Sequence, residues 1–274
     1  MPSRRTCIGV FDSGFGGLTV LRALLKLIPN ADYIYFGDTA RLPYGSKSAD
    51  TVAKYAVGAT RYLEHHGANL LVIACNTATA LALDKITQAA SVPVVGVVEP
   101  GAERAASTTA NRKVVVIGTE ATVSSHAYLK ALHTRQVEAH EKACPLLVPL
   151  VEEGWISHPV TEQVARIYLK EAFADGFESA DVLLLGCTHY PLLKPLLHRV
   201  APPKVEIVDS ADSTADAVGH LLKRCPLPDP AEVERRKLPR VRFFATDSVE
   251  KFRRLGAQFL GHSTDDVQHV DLRE

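Results

Sequence analysis

The 274-residue chain has no formal net charge: 31 lysines and arginines face 31 aspartates and glutamates. That balance argues against the basic footprint of a nucleic-acid binder and against an anionic-membrane partner. Long hydrophobic runs are missing too. None approaches the ~20 residues that a membrane span needs, although 46% of the residues are hydrophobic. Cysteine is sparse, with Cys7, Cys75, Cys144, Cys187 and Cys225. The number is odd and no two cysteines have CxxC spacing, so neither a disulfide framework nor a zinc ribbon is expected. The expected setting is a reducing cytoplasm with free thiols. No metal-ligand set is visible in the spacing of the histidines and acids. Ser3-Arg4-Arg5 is followed by an apolar stretch broken at once by Asp12-Ser13-Gly14. It reads as a short basic tail rather than an export signal.

Short Val/Ile/Leu-rich runs predict strands at 7–11, 33–36, 70–74, 94–97, 114–118, 137–141, 181–186, 205–208 and 241–245. They are nearly continuous rather than alternating, as strands buried on both faces of a parallel sheet are. Helical patterns separate them, over 17–28, 48–66, 77–90, 100–109, 122–134, 160–174, 190–199, 213–224 and 249–260. Ser48 is a start signal and Gly67 a stop signal for the second of these. The alternation predicts an α/β fold with mainly parallel sheets flanked by helices. The stretch 225–240 reads as a loop followed by a charged, solvated face.

Two segments repeat one pattern: LLVIACNT at 70–77 and VLLLGCTH at 182–189. Each ends a buried strand at a cysteine followed by small hydroxyl or amide residues. Ser13 and Thr119 also end strands, 106 positions apart, against 112 for Cys75 and Cys187. These offsets suggest two related α/β units of about 100 residues, facing each other across a cleft. The expected division is 1–98 plus 209–274 for the Cys75 unit and 99–208 for the Cys187 unit. A lone cysteine is more often a small buried hydrophobe than a reactive group. Here both thiols follow strands and precede helix starts, where the dipole favours thiolate. Asp12 could assist Cys75 and His189 could assist Cys187.

The remaining polar clusters also end strands, where open α/β sheets bind ligands. The loop DSGFGG at 12–17 lets backbone N–H groups approach an anion, or is a tight turn with Ser13 as helix cap. It is neither GxGxxG nor a P-loop. Lys47 has no phosphate cup around it, so pyridoxal phosphate is not expected. Glu152 and Glu153, taken as ending a strand, read from pattern alone as surface charges. Asp38, Asp209 and Asp212 read as turn or capping residues.

At these positions the chain resembles the glutamate racemase family, of the cofactor-independent Asp/Glu racemase superfamily. The matching segments are VFDSGFGGLTVL, YFGDTARLPYGSKS, IACNTATA, VVEPGA, VIGTEATVSSHAY, CPLLVPLVEEGW and LLLGCTHYPLL. The resemblance implies two α/β domains with the site between them, no cofactor, glutamate as substrate, and a homodimer. It implies that Cys75 and Cys187 are paired acid/base thiols. Asp12 would assist Cys75, and His189, with Glu152, would assist Cys187. Asp12, Ser13, Tyr44, Gly45, Asn76, Thr77, Thr119, Thr122, Thr188 and His189 would line the glutamate site. The expected role is supply of D-glutamate for peptidoglycan.

Overall fold

The computed structural model describes residues 6–224, 239–264 and 266–272. The strands are β1 (Cys7–Asp12), β2 (Asp32–Gly37), β3 (Leu70–Ile73), β4 (Val94–Gly96), β5 (Lys113–Gly118), β6 (Glu138–Ala143), β7 (Val182–Gly186), β8 (Glu206–Asp209), β9 (Val241–Ala245) and β10 (Val267–His269). The helices are α1 (Leu18–Leu27), α2 (Ala49–His65), α3 (Asn76–Ala89), α4 (Val98–Thr108), α5 (Glu120–Ser125), α6 (Ala127–His133), α7 (Leu147–Glu152), α8 (Pro159–Ala172), α9 (Lys194–Val200), α10 (Ser210–Arg224) and α11 (Val249–Leu260). Cys225, the basic tail at 3–5 and nearly all of the expected loop at 225–240 lie outside the described residues.

Two sheets form, ordered β10-β9-β2-β1-β3-β4 and β6-β5-β7-β8. Every pairing is parallel. The central strands are those with the most continuous apolar runs, because helices cover both of their faces. Without β9 and β10, the two sheets share one order. In each, the chain leaves its first strand to one side and comes back on the other. The pairs β1/β3 and β5/β7 therefore flank switch points, where the loops diverge and leave a crevice. One buried apolar cluster runs from Ile8, Val10 and Val72 of the first sheet to Ile117, Leu183 and Leu185 of the second. The sheets thus share a core. Among the described residues, no helix is long and apolar enough to cross a membrane.

The sequence-based expectations fail at four places. The helix expected over 122–134 is two helices, broken at His126, whose backbone is left-handed at φ 55°. Glu141 on β6 accepts from the Leu129 N–H and pairs with the His126 ring, which stabilises the break. The helix expected over 190–199 starts as a 3₁₀ turn, Tyr190–Leu193, with Pro191 and Pro195 lacking amide donors. Strand β10 has three residues and only Val267 is buried, too little for a pattern. Glu152 ends helix α7, not a strand.

Close packing of α2 and the segment after it on β1 depends on Gly9. A Cβ there would lie 3.2 Å from Leu63 Cβ on α2, 2.9 Å from Ala68 Cβ and 2.9 Å from Leu71 Cδ2 on β3. Gly9→Ala should destabilise the protein by about 1–3 kcal/mol through overpacking, read as a lower urea midpoint with unchanged slope.

Candidate active site

Strand register builds the site. Phe11 pairs with Ile73, which sets Ser13 beside Cys75, two residues on. Ile117 pairs with Leu185, which sets Thr119 beside Cys187 in the same way. Each cysteine therefore emerges at a switch point next to a hydroxyl residue. Both thiols are buried and both line one pocket of about 340 Å³.

Cys75 is the N-cap of α3, and its Sγ accepts from the Ala78 N–H at 3.4 Å. Its own S–H donates to Ser13 Oγ at 3.5 Å. Ser13 is thus a partner of the thiol, not the cap of α1, whose N-cap is Gly17 without a side-chain bond. The helix start does not lower this thiol's proton affinity. Burial and the nearby Asp12 charge push it up to about 12 despite these bonds, so Cys75 is a thiol at neutral pH. Burial also raises Asp12, against the His189 charge and backbone N–H groups that favour its ionised form. Its Oδ2 accepts from the Gly14 N–H at 2.8 Å. Its Oδ1 is buried with no hydrogen-bond partner among the described residues.

Cys187 has a different neighbour. His189 Nδ1 lies 3.9 Å from its Sγ, and His189 Nε2 lies 3.2 Å from Glu152 Oε1. Burial works against a charged imidazole, but the bonds to Cys187 and Glu152 outweigh it and hold His189 up to about 10. Burial likewise opposes charge on Glu152, yet His189 and Lys251 hold it down to about 2. Both groups are ionised at neutral pH. The ring is also confined. A Cβ at Gly16 would lie 2.6 Å from His189 Nδ1, and Phe259 meets the ring edge-on at 5.2 Å.

Hydroxyls bridge the halves. Thr77 Oγ1 lies 3.0 Å from Thr119 Oγ1 and 3.3 Å from Thr122 Oγ1, and the last two are 2.9 Å apart. Thr19 Oγ1 donates to the Thr188 carbonyl at 3.1 Å. The Asn76 amide is already paired. It accepts from the Tyr128 hydroxyl at 2.6 Å and donates to Ser210 Oγ at 3.3 Å. Its contribution to a ligand is therefore its backbone N–H, in the open first turn of α3. The Tyr44 hydroxyl is committed to Asp38 Oδ2 at 2.6 Å, and Arg41 and Thr246 hold Oδ1. Asp38 is thus a buried hub that shapes the 39–46 loop, not merely a turn residue. Gly45 lets that loop approach α5, since a Cβ would lie 2.9 Å from Thr119 Cβ.

The pocket brings together Ser13, Tyr44, Gly45, Cys75, Asn76, Thr77, Thr119, Cys187, Thr188, His189 and Glu152. Asp12 and Thr122 stand behind it rather than in its wall. Glu152, which pattern alone makes a surface charge, is in the wall. Asp209 does cap a helix, accepting from the Ala211 and Asp212 N–H groups. Sequence reasoning missed the apolar walls Leu42, Val148 and Pro149, and the supporting residues Tyr128, Ser210 and Lys251. Those walls have no chemical signature of their own, and the supports lie far along the chain from what they support.

Two buried thiols on one pocket, with a carboxyl group near one and an ionised imidazole–carboxylate pair beside the other, define an enzyme site for proton transfer. The model of the Asp/Glu/Hydantoin racemase family matches residues 8–218. A glutamate racemase of Koribacter versatilis is 59% identical, with 99% of each chain covered. The crystal structure of a glutamate racemase isoform from Bacillus anthracis superposes with a TM-score of 0.90 at 35% identity, covering 97% of this chain and 98% of that one. That of the Francisella tularensis glutamate racemase in complex with D-glutamate gives 0.88, also at 35% identity, with 98% of each chain covered. The chain belongs to the Asp/Glu/Hydantoin racemase family.

The buried pair makes stability depend on pH in both directions. His189 is raised from 6.5, so its contribution is complete below 6.5 and is lost as pH climbs through about 10. Glu152 is lowered from 4.5, so its contribution is complete above 4.5 and is lost as pH falls through about 2. Glu152→Gln should lower stability most between pH 4.5 and 6.5, by about 1–3 kcal/mol. The gap from the unaltered protein should narrow in stronger acid and in alkali, as urea unfolding across pH will show.

Proposed function

We propose that the protein interconverts L-glutamate and D-glutamate by passing the α-proton between Cys75 and Cys187. The observation that carries this reading is that both thiols line one pocket, each at its own switch point. Racemisation needs a proton acceptor on one face of the α-carbon and a donor on the other. The glutamate racemases among its relatives support the choice of substrate.

One cysteine, as thiolate, removes the α-proton. The other, as thiol, returns a proton to the opposite face of the planar carbanion, and the roles exchange for the other enantiomer. Cys75 starts as the thiol. Cys187 faces an imidazolium, the partner that suits a thiolate. Asp12, with its unpartnered oxygen, serves the Cys75 side, and His189, braced by Glu152, serves the Cys187 side. The α-proton of an amino acid is far less acidic than a thiol, so the carbanion must be stabilised by fixed dipoles. Backbone N–H groups at the starts of α1 and α3, with the hydroxyls of Ser13, Thr77 and Thr188, are placed for that. Tyr44 and Gly45 form the wall of the substrate's far end, and Thr119 and Thr122 hold Thr77 in place. All of these steps use groups of the chain itself.

On this reading, residues 1–98 with 209–274, and residues 99–208, are domains that close on the substrate. The protein works in the cytoplasm as a homodimer and supplies D-glutamate for peptidoglycan.

Turnover of L-glutamate in D2O should place deuterium at Cα of the D-product, as mass spectrometry will detect. Racemisation without solvent label would sink the mechanism, and faster turnover of L-aspartate would sink the substrate. Cys75→Ala and Cys187→Ala should each lower kcat about a hundred- to ten-thousand-fold, with an unaltered circular dichroism spectrum.

A further inference from the structure

Glu152 and His189 belong to the four-stranded half of the molecule, yet a third member of their chain of contacts comes from the other half. Lys251 Nζ lies 2.7 Å from Glu152 Oε2. Glu152 Oε1 is 3.2 Å from His189 Nε2, and His189 Nδ1 is 3.9 Å from Cys187 Sγ. The four groups form one line, with each carboxylate oxygen holding a different partner. Lys251 is on α11, which packs beside α1 and carries Phe252 into the core that the two sheets share. Phe252 meets Phe15 at 5.7 Å and Tyr35 at 5.7 Å. Lys251, Leu255 and Phe259 are spaced by four, so they share one stripe of the helix. Two turns apart on that stripe, Lys251 holds Glu152 and Phe259 holds the edge of the His189 ring.

We infer that Lys251 is a positioning residue for proton transfer at Cys187: it fixes the Glu152 carboxylate, which orients the His189 imidazole toward the Cys187 sulfur. This rests on the two-thiol reading of the pocket. An exposed ion pair would contribute little, but here Glu152 is only 14% exposed at its side chain. The terminal torsion of a glutamate is broad and two-fold. A carboxylate held through one oxygen swings, whereas one held through both cannot. Without Lys251, Glu152 keeps its bond to His189 but loses the restraint on its plane. The imidazole then samples orientations that do not face the sulfur. Cys75 makes no contact with this line, since its hydrogen-bond partners are Ser13 and the start of α3. The role of Lys251 is therefore one-sided.

That asymmetry gives a readout that loss of folding cannot imitate. Enantiomers have equal free energy in water, so kcat/KM must fall by the same factor in both directions. The α-deuterium isotope effect need not. Weakening the Cys187 step makes it more rate-limiting. The isotope effect then grows for the enantiomer whose α-proton Cys187 removes, and shrinks for the one Cys75 deprotonates. Lys251→Met should lower kcat/KM about 10- to 100-fold, the range for one charge-assisted hydrogen bond, with the two isotope effects moving in opposite senses. Lys251→Arg, which keeps a donor over Glu152, should retain most of the rate. Isotope effects that move together or stay put, or an arginine variant as slow as the methionine one, would overturn the assignment. Failure of the unaltered protein to racemise glutamate, or to take label from D2O, would instead be a failure of the two-thiol reading, seen before any variant is made.

Discussion

A charged imidazole in a protein interior needs a counter-ion within a few ångström, because desolvation otherwise drives off its proton. His189 meets that demand with Glu152, and Glu152 in turn meets its own with His189 and Lys251. Much of the local architecture serves this pair. Helix α7 ends where its last side chain reaches the ring. Gly16 has no side chain, so the DSGFGG loop can close over Thr188 and His189. Helix α11 crosses from the neighbouring half to cap both groups. Each of these choices would be arbitrary if His189 were neutral.

The same demand breaks the symmetry of a repeated scaffold. Both sheets share one strand order, and both cysteines share one register position beside a hydroxyl residue. At the next positions the halves part. Strand register sets Asp12 opposite Gly118 and Thr77 opposite His189, when one half is laid on the other. One thiol thus has a carboxyl neighbour and a proton affinity pushed up by burial, while the other has an imidazolium. The two half-sites thus share a scaffold and differ in the ionisable group that stands beside each thiol.

Much of this was legible in the order of residues. Continuous apolar runs marked the central strands, because burial on both faces leaves no polar alternation to confuse with a surface strand. The repeated strand-to-cysteine pattern marked both half-sites, because a switch point always lies at a strand's carboxyl end. Pattern alone misjudged Glu152, which only the family resemblance placed at the site, for a physical reason: its partner His189 is 37 positions away, and local pattern cannot distinguish a paired carboxylate from a solvated one. Asn76 was read as a site residue and does line the pocket, but its side-chain ties to Tyr128 and Ser210 left no mark in the sequence. The break at His126 was hidden because Glu141, on another strand, provides the compensating bonds. Lys251 showed nothing at all, since a lysine near the start of an amphipathic helix is ordinary. At Glu152, His126 and Lys251 what escaped was a contact between polar groups far apart in the chain.

The position of α11 in the chain bears on how the protein is made. Synthesis is vectorial, and the ribosome has delivered all four strands of the smaller sheet by residue 209. The helix that braces His189 comes some 40 residues later, together with β9, which covers the open edge of β2. A nascent chain paused between those points would hold both thiols without the brace on one of them. Competence for proton transfer would then arrive late, with the release of the final segment, and a truncated product would be left with an exposed strand edge prone to pair with other chains.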